Sequence, residues 1–72
     1  MGNTTRARRR YVVRVDFLSA GDPFASETYT IEAPNLRAAR IGGLHRSEDS
    51  VYDDPRIPDF ARIVTARREQ AS

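Results

Sequence analysis

The run YVVRVDFL at positions 11–18 constrains this chain more than any other stretch. It is dominated by β-branched and aromatic side chains, which suit a pleated surface. Its alternation has period two. Tyr11, Val13, Val15 and Phe17 fall on one face, and Val12, Arg14, Asp16 and Leu18 on the other. The first face is apolar except for one hydroxyl and is expected to face a core. The second is mixed: Arg14 and Asp16 need water or partners, whereas Val12 and Leu18 favour cover. Such a strand fits the centre of a small open sheet.

The rest of the chain supplies elements to either side. Positions 1–10, with Arg6, Arg8, Arg9 and Arg10, hold almost nothing to bury and are expected to be a flexible arm. Positions 19–27 carry the Gly21-Asp22-Pro23 punctuation and are expected to form a loop too long for a two-residue hairpin, with Phe24 at its tip either folding back on the core or standing exposed as a partner anchor. Positions 28–33 alternate again and predict a second strand, antiparallel to the first and ended by Pro34. Asn35 is a good N-cap for a helix over 35–46, with Leu36, Ala39 and Gly43 on one face and Ile41 and Leu44 to its side. Gly42 and Gly43 either let this helix approach a sheet closely or end it at Gly42 and open a loop. Positions 47–58 form an acidic loop, and 59–68 predict a third strand. Its core-facing set is either Ala61, Ile63 and Thr65 or Phe60, Arg62, Val64 and Ala66. Positions 69–72 are expected to fray.

A right-handed crossover through the helix places the third strand beyond the first. The expected fold is α+β, ββαβ, with sheet order 2-1-3 and the helix on the face holding Tyr11, Val13, Val15, Phe17, Tyr29 and Ile31. One domain over 11–68 follows.

Size and composition limit what such a domain does. Roughly sixty residues available for packing leave a marginal core, and the absence of cysteine removes disulfides and thiolate metal sites. Self-association or a standing partner therefore gains weight. No apolar run spans a bilayer, and the basic start lacks the apolar segment of a secretory signal. Arg6 occupies the position where a myristoylation motif requires Ser or Thr. The Asn3-Thr4-Thr5 glycosylation pattern has no secretory context. A cytoplasmic location, or packaging inside a particle, is expected.

No catalytic signature emerges: there is no phosphate-cradling glycine loop, nucleophile elbow or metal-ligand spacing. His45, the only histidine, is expected to complement the helix C-terminus with Arg46. No catalytic residue, cofactor site or metal site is assigned. The charge informs by position. All 12 basic residues are arginine; Arg6, Arg8, Arg9, Arg10 and Arg14 cluster at the start, while Glu48, Asp49, Asp53, Asp54 and Asp59 cluster late. The arginines are the candidate nucleic-acid contacts, since guanidinium binds phosphate bidentately. Val12 and Leu18 on the open sheet face, with Tyr52, Asp53, Asp54 and Ile57 in the acidic loop, are the candidate protein contacts.

The segment YTIEAPNLRAAR at 29–40 resembles the strand-then-alanine-helix segment of small phage and bacterial accessory proteins with a ββαβ core. The lysine-free, arginine- and alanine-rich composition is similar to that of high-GC bacteria and their phages. The resemblance implies the ββαβ fold and an accessory role, such as inhibitor or assembly factor. The expectation is a non-enzymatic protein-binding domain that forms homo-oligomers. The alternative is a nucleic-acid binder using the arginine arm.

Overall fold

The structure is a computed structural model, and it describes residues 8–69. Four elements follow one another: β1 (Arg9–Ser19), β2 (Asp22–Ala33), α1 (Leu36–Ser47) and β3 (Phe60–Arg68). The fold is α+β, with a three-stranded sheet in the order β2-β1-β3. Both pairings are antiparallel, and α1 packs against all three strands. The expected topology is thus the observed one. No helix among the described residues is long and apolar enough to cross a membrane.

The central strand behaves as its alternation requires. Val13, Val15 and Phe17 are 0% exposed and Tyr11 is 5% exposed. Burying side chains of this size stabilises a fold by about 1.5–3 kcal/mol each. Ala33 and Ala39 complete the buried cluster, with Tyr29, Ile31, Phe60, Val64 and Ala66 packed around it. The register of β3 is thereby settled. Phe60, Arg62, Val64 and Ala66 share the covered face, opposite Ser19 to Val13 along the β1 ladder, and Ala61, Ile63 and Thr65 face outward.

Helix α1 starts where Asn35 caps it. The Asn35 backbone is extended, with φ −156°, and its side-chain oxygen accepts a 2.8 Å hydrogen bond from the Ala38 N–H. The buried row is Ala39, Gly43 and Ser47, one residue per turn at i, i+4 and i+8. Leu36, expected on the covered stripe, is instead 43% exposed at the helix start. Small side chains on the buried row let the helix backbone approach β1. A Cβ on Gly43 would stand 2.9 Å from the Val13 Cβ and closer still to its Cγ1. The buried Ser47 hydroxyl donates to the Leu44 carbonyl at 2.6 Å, so it costs little in unsatisfied polarity.

The segment expected as a long loop is corrected by the structure. β1 and β2 are joined by only Ala20 and Gly21, with φ 52° and 83°. Two positive φ values are what a mirror-image two-residue hairpin turn requires. Asp22, Pro23 and Phe24 belong to β2, and a register shift between Phe17 and Leu18 absorbs the irregularity. Pro23 is tolerated because β2 is an edge strand.

The limits of the strands also move. Arg9 and Arg10 lie within β1 rather than in an arm, and the Glu69 N–H donates to the Arg10 carbonyl at 2.9 Å, extending the β1–β3 ladder. Arg8 lies just before β1, and positions 1–7 of the expected arm, Arg6 included, and the tail beyond Glu69 lie outside the described residues.

Candidate binding surfaces

The candidate protein contacts separate onto two faces. Val12 is half-buried on the open face, between Thr30 of β2 and Arg67 of β3. Leu18 retains only 9% exposure in the bulged segment and presents little surface to a partner. Beside them, Ile63 is 52% exposed on the same face. Sequence reasoning did not single it out, because either face of β3 fitted the pattern.

The acidic-loop candidates lie instead at the turn end of the covered face. Tyr52 packs on Phe17 with ring centroids 5.5 Å apart, and Phe24 lies 6.2 Å from Tyr52 and 6.4 Å from Phe17. Phe60 completes the cluster, 6.1 Å from Phe17. Phe24 thus lies near the Phe17 and Tyr52 rings yet stays 45% exposed and outside the buried cluster, so the expected return to the core is not complete. Asp53 pairs with Arg62 at 2.8 Å, and Arg62 also lies over the Phe60 ring at 5.0 Å. The Arg62 Nε is buried without an acceptor. Asp54 accepts from the Arg56 backbone N–H at 2.9 Å and from its guanidinium at 2.9 and 3.1 Å. These bonds pull the Asp54 carboxyl down to about 2. Ile57 is half-buried, and its N–H donates to the Asp54 carbonyl at 3.0 Å. Two of the acidic side chains are thus engaged within the loop and its neighbouring strand. Val51 stands out at 85% exposed.

The arginines gather at the other end. The β1–β3 register sets Tyr11 opposite Arg68 and Val12 opposite Arg67, which brings the two C-terminal arginines beside those at the start of β1. Arg8, Arg9, Arg10, Arg68 and Glu69 line an open cleft of about 310 Å³. Glu69 pairs with Arg10 at 3.0 Å, and the Arg8 guanidinium donates to the Glu32 carbonyl at 3.2 Å. Arg14 lies farther along the open face and pairs with Asp16 at 2.9 Å. That face carries no aromatic side chain among the described residues. Tyr11, Phe17 and Tyr29 all point to the helix side, where the Tyr29 hydroxyl donates to Glu27 at 2.5 Å. Burial and this bond to Glu27 push the Tyr29 hydroxyl up to about 12.

A third surface was not assigned from sequence. Arg37, Arg40, Ile41 and Leu44 of α1, with Val64 of β3, line a groove of about 560 Å³. Ile41 is 48% exposed on its wall. The clue in the sequence was that Ile41 and Leu44 lie beside the helix stripe rather than on it. Only the lie of the helix across the sheet shows that this leaves a space above β3.

The two sheet edges differ. Ladder bonds from the Glu69 N–H to Arg10 and from the Ala20 N–H to Asp59 fix which β3 peptide groups face β1. Alternate residues point opposite ways, so Arg62, Val64 and Ala66 direct N–H and C=O to the free edge. At the β2 edge, Pro23 lacks an N–H and Arg8 occupies the Glu32 carbonyl. No protein-family model matches the chain, and no curated protein or solved structure is detectably similar to it.

Proposed function

We propose that the protein is a non-enzymatic accessory domain that acts by binding another protein. The observation that carries this reading is β3: an edge strand flanked by exposed Ile41 on one face and exposed Ile63 on the other. Free backbone groups beside apolar surface are the elements of strand-addition interfaces. The absence of a catalytic constellation in the sequence accords with it, as does His45 lying exposed in the last helical turn. The accessory and phage-like role stays with the resemblance of the 29–40 segment.

The test is affinity capture by the immobilised protein from a lysate of the source organism, with and without nuclease, at physiological salt. The reading expects a protein retained saturably and unaffected by nuclease. Retention of nucleic acid alone, lost on nuclease treatment, overturns it.

Self-association through the open face, with Val12 and Ile63 at its centre, belongs to the same reading. Light scattering then reports a species that Val12→Asp makes smaller; a wild-type monomer from micromolar to millimolar concentration refutes it.

Nucleic-acid binding is the second reading, and the gathering of Arg67 and Arg68 beside Arg8, Arg9 and Arg10 favours it. The open face offers no aromatic platform for stacking bases, so this binding is expected to be sequence-independent and to weaken steeply with salt.

A further inference from the structure

Resting on the protein-binding reading, we infer that the partner adds an extended acidic segment to the free edge of β3, with apolar side chains in the groove beneath α1. The geometry names both halves of the interaction. Arg62, Val64 and Ala66 point backbone donors and acceptors outward at the edge. Their side chains lie on the helix side, so a strand added there places alternate residues against Val64, Ile41 and Leu44. The groove's polar members are Arg37 and Arg40, and no acidic residue lines it. Arg67 and Arg68 extend the positive charge toward the end of the strand.

Charge decides against a second copy as the occupant. An antiparallel β3–β3 pairing about a two-fold axis brings Arg37 and Arg40 of both copies toward one seam, with no acid in the groove to separate them. Hydrogen-bond chemistry decides against nucleic acid. The edge alternates donors with acceptors, and a phosphodiester backbone offers only acceptors, so the β3 carbonyls would stay unpaired. A peptide backbone satisfies both and brings its own acidic side chains to the arginines.

The test uses the full chain, labelled for NMR, and a short blocked peptide whose helix-side positions run Glu, Val, Val, Glu with threonine between. Titration is expected to shift the amides of Arg62, Val64 and Ala66 and those of Ile41 and Leu44. Replacing the peptide's glutamates with lysine weakens binding about tenfold, the worth of two exposed ion pairs. The double variant Arg37→Glu, Arg40→Glu reverses that preference, and Ile41→Asp removes binding of both peptides. All three side chains are exposed, so unchanged melting curves are expected to show that the variants fold. Shifts confined to the open face, no shifts at all, or indifference to the charge swap overturn the inference. So do edge shifts that depend on protein concentration without peptide, which indicate a second copy. None of these results bears on the lysate capture. A protein retained equally by wild type and by the arginine double variant leaves the protein-binding reading standing and moves the site elsewhere.

Discussion

The two faces of the sheet are built from the same three strands and do opposite things. On the covered face, Val13, Val15 and Phe17 are wholly buried, beneath the helix's row of small side chains and the aromatic cluster of Tyr52 and Phe60. On the open face, Val12 is half-buried and Ile63 half-exposed, among threonines and the Arg14–Asp16 pair. The difference teaches where a small domain keeps its stability. Nearly all of the packing lies on one side, so the other side and the β3 edge are free to vary or to bind. A domain with a total stability of about 5–15 kcal/mol has little to spare, and the contrast is therefore open to direct attack.

The largest effect is expected at Val15, which is 0% exposed. Val15→Asp buries an unpaired carboxylate, at a cost of several kcal/mol, and should abolish the folded circular-dichroism signal at room temperature. A melting curve like that of wild type means that the covered face is not the core. Gly43→Ala comes next. The added methyl meets the Val13 side chain from the helix backbone, so the helix must lift or Val13 must shift. Overpacking of this kind costs about 1–3 kcal/mol, read from the urea midpoint. An unchanged or raised midpoint shows that the helix does not sit so close.

A smaller effect concerns pH. The Tyr29 hydroxyl is raised from 10.0 to about 12 by burial and by its bond to Glu27. A folded-state value above the unfolded one means that the contribution is complete below pH 10 and is lost as pH rises toward about 12. Wild type should lose stability in that window relative to Tyr29→Phe, as measured by urea midpoints at each pH. A difference that does not change across the window removes Tyr29 from the account. The smallest effect is expected from Val12→Asp, on the open face. It should cost the monomer about 1 kcal/mol, the span of strand preference at a half-buried position; a loss comparable with that of Val15→Asp erases the distinction between the faces.

The sequence made much of this architecture readable, and the reasons are local. Alternation across 11–18 identified the central strand because one face had to be apolar throughout. Asn35 announced the helix, and the handedness of the crossover ordered the sheet. The hairpin was misread because Gly21-Asp22-Pro23 carries turn chemistry, yet only Ala20 and Gly21 make the turn. An edge position accommodates Pro23 in a strand, and edge positions follow from topology rather than from local pattern. The β3 register stayed open because Ile63 and Val64 are adjacent and equally apolar, and long-range pairing decides between them. Candidate surfaces were less legible. The joining of Arg67 and Arg68 to the first arginines depends on the β1–β3 register, and the groove beside Ile41 depends on the line of the helix over the sheet. Whether Tyr52 and Asp53 form a patch or tuck under the loop depends on their partners, Phe17 and Arg62, which only the long-range packing supplies.

Amide hydrogen exchange of the free protein in dilute solution tests the central claim most directly: one face closed, one edge open. The N–H groups of Ile63, Thr65 and Arg67 bond to β1, whereas those of Arg62, Val64 and Ala66 meet solvent. The account predicts strong protection at the first three, comparable with that of Val13 and Val15, and fast exchange at the second three. Equal protection along all of β3 contradicts it, because the edge proposed for a partner would already be filled.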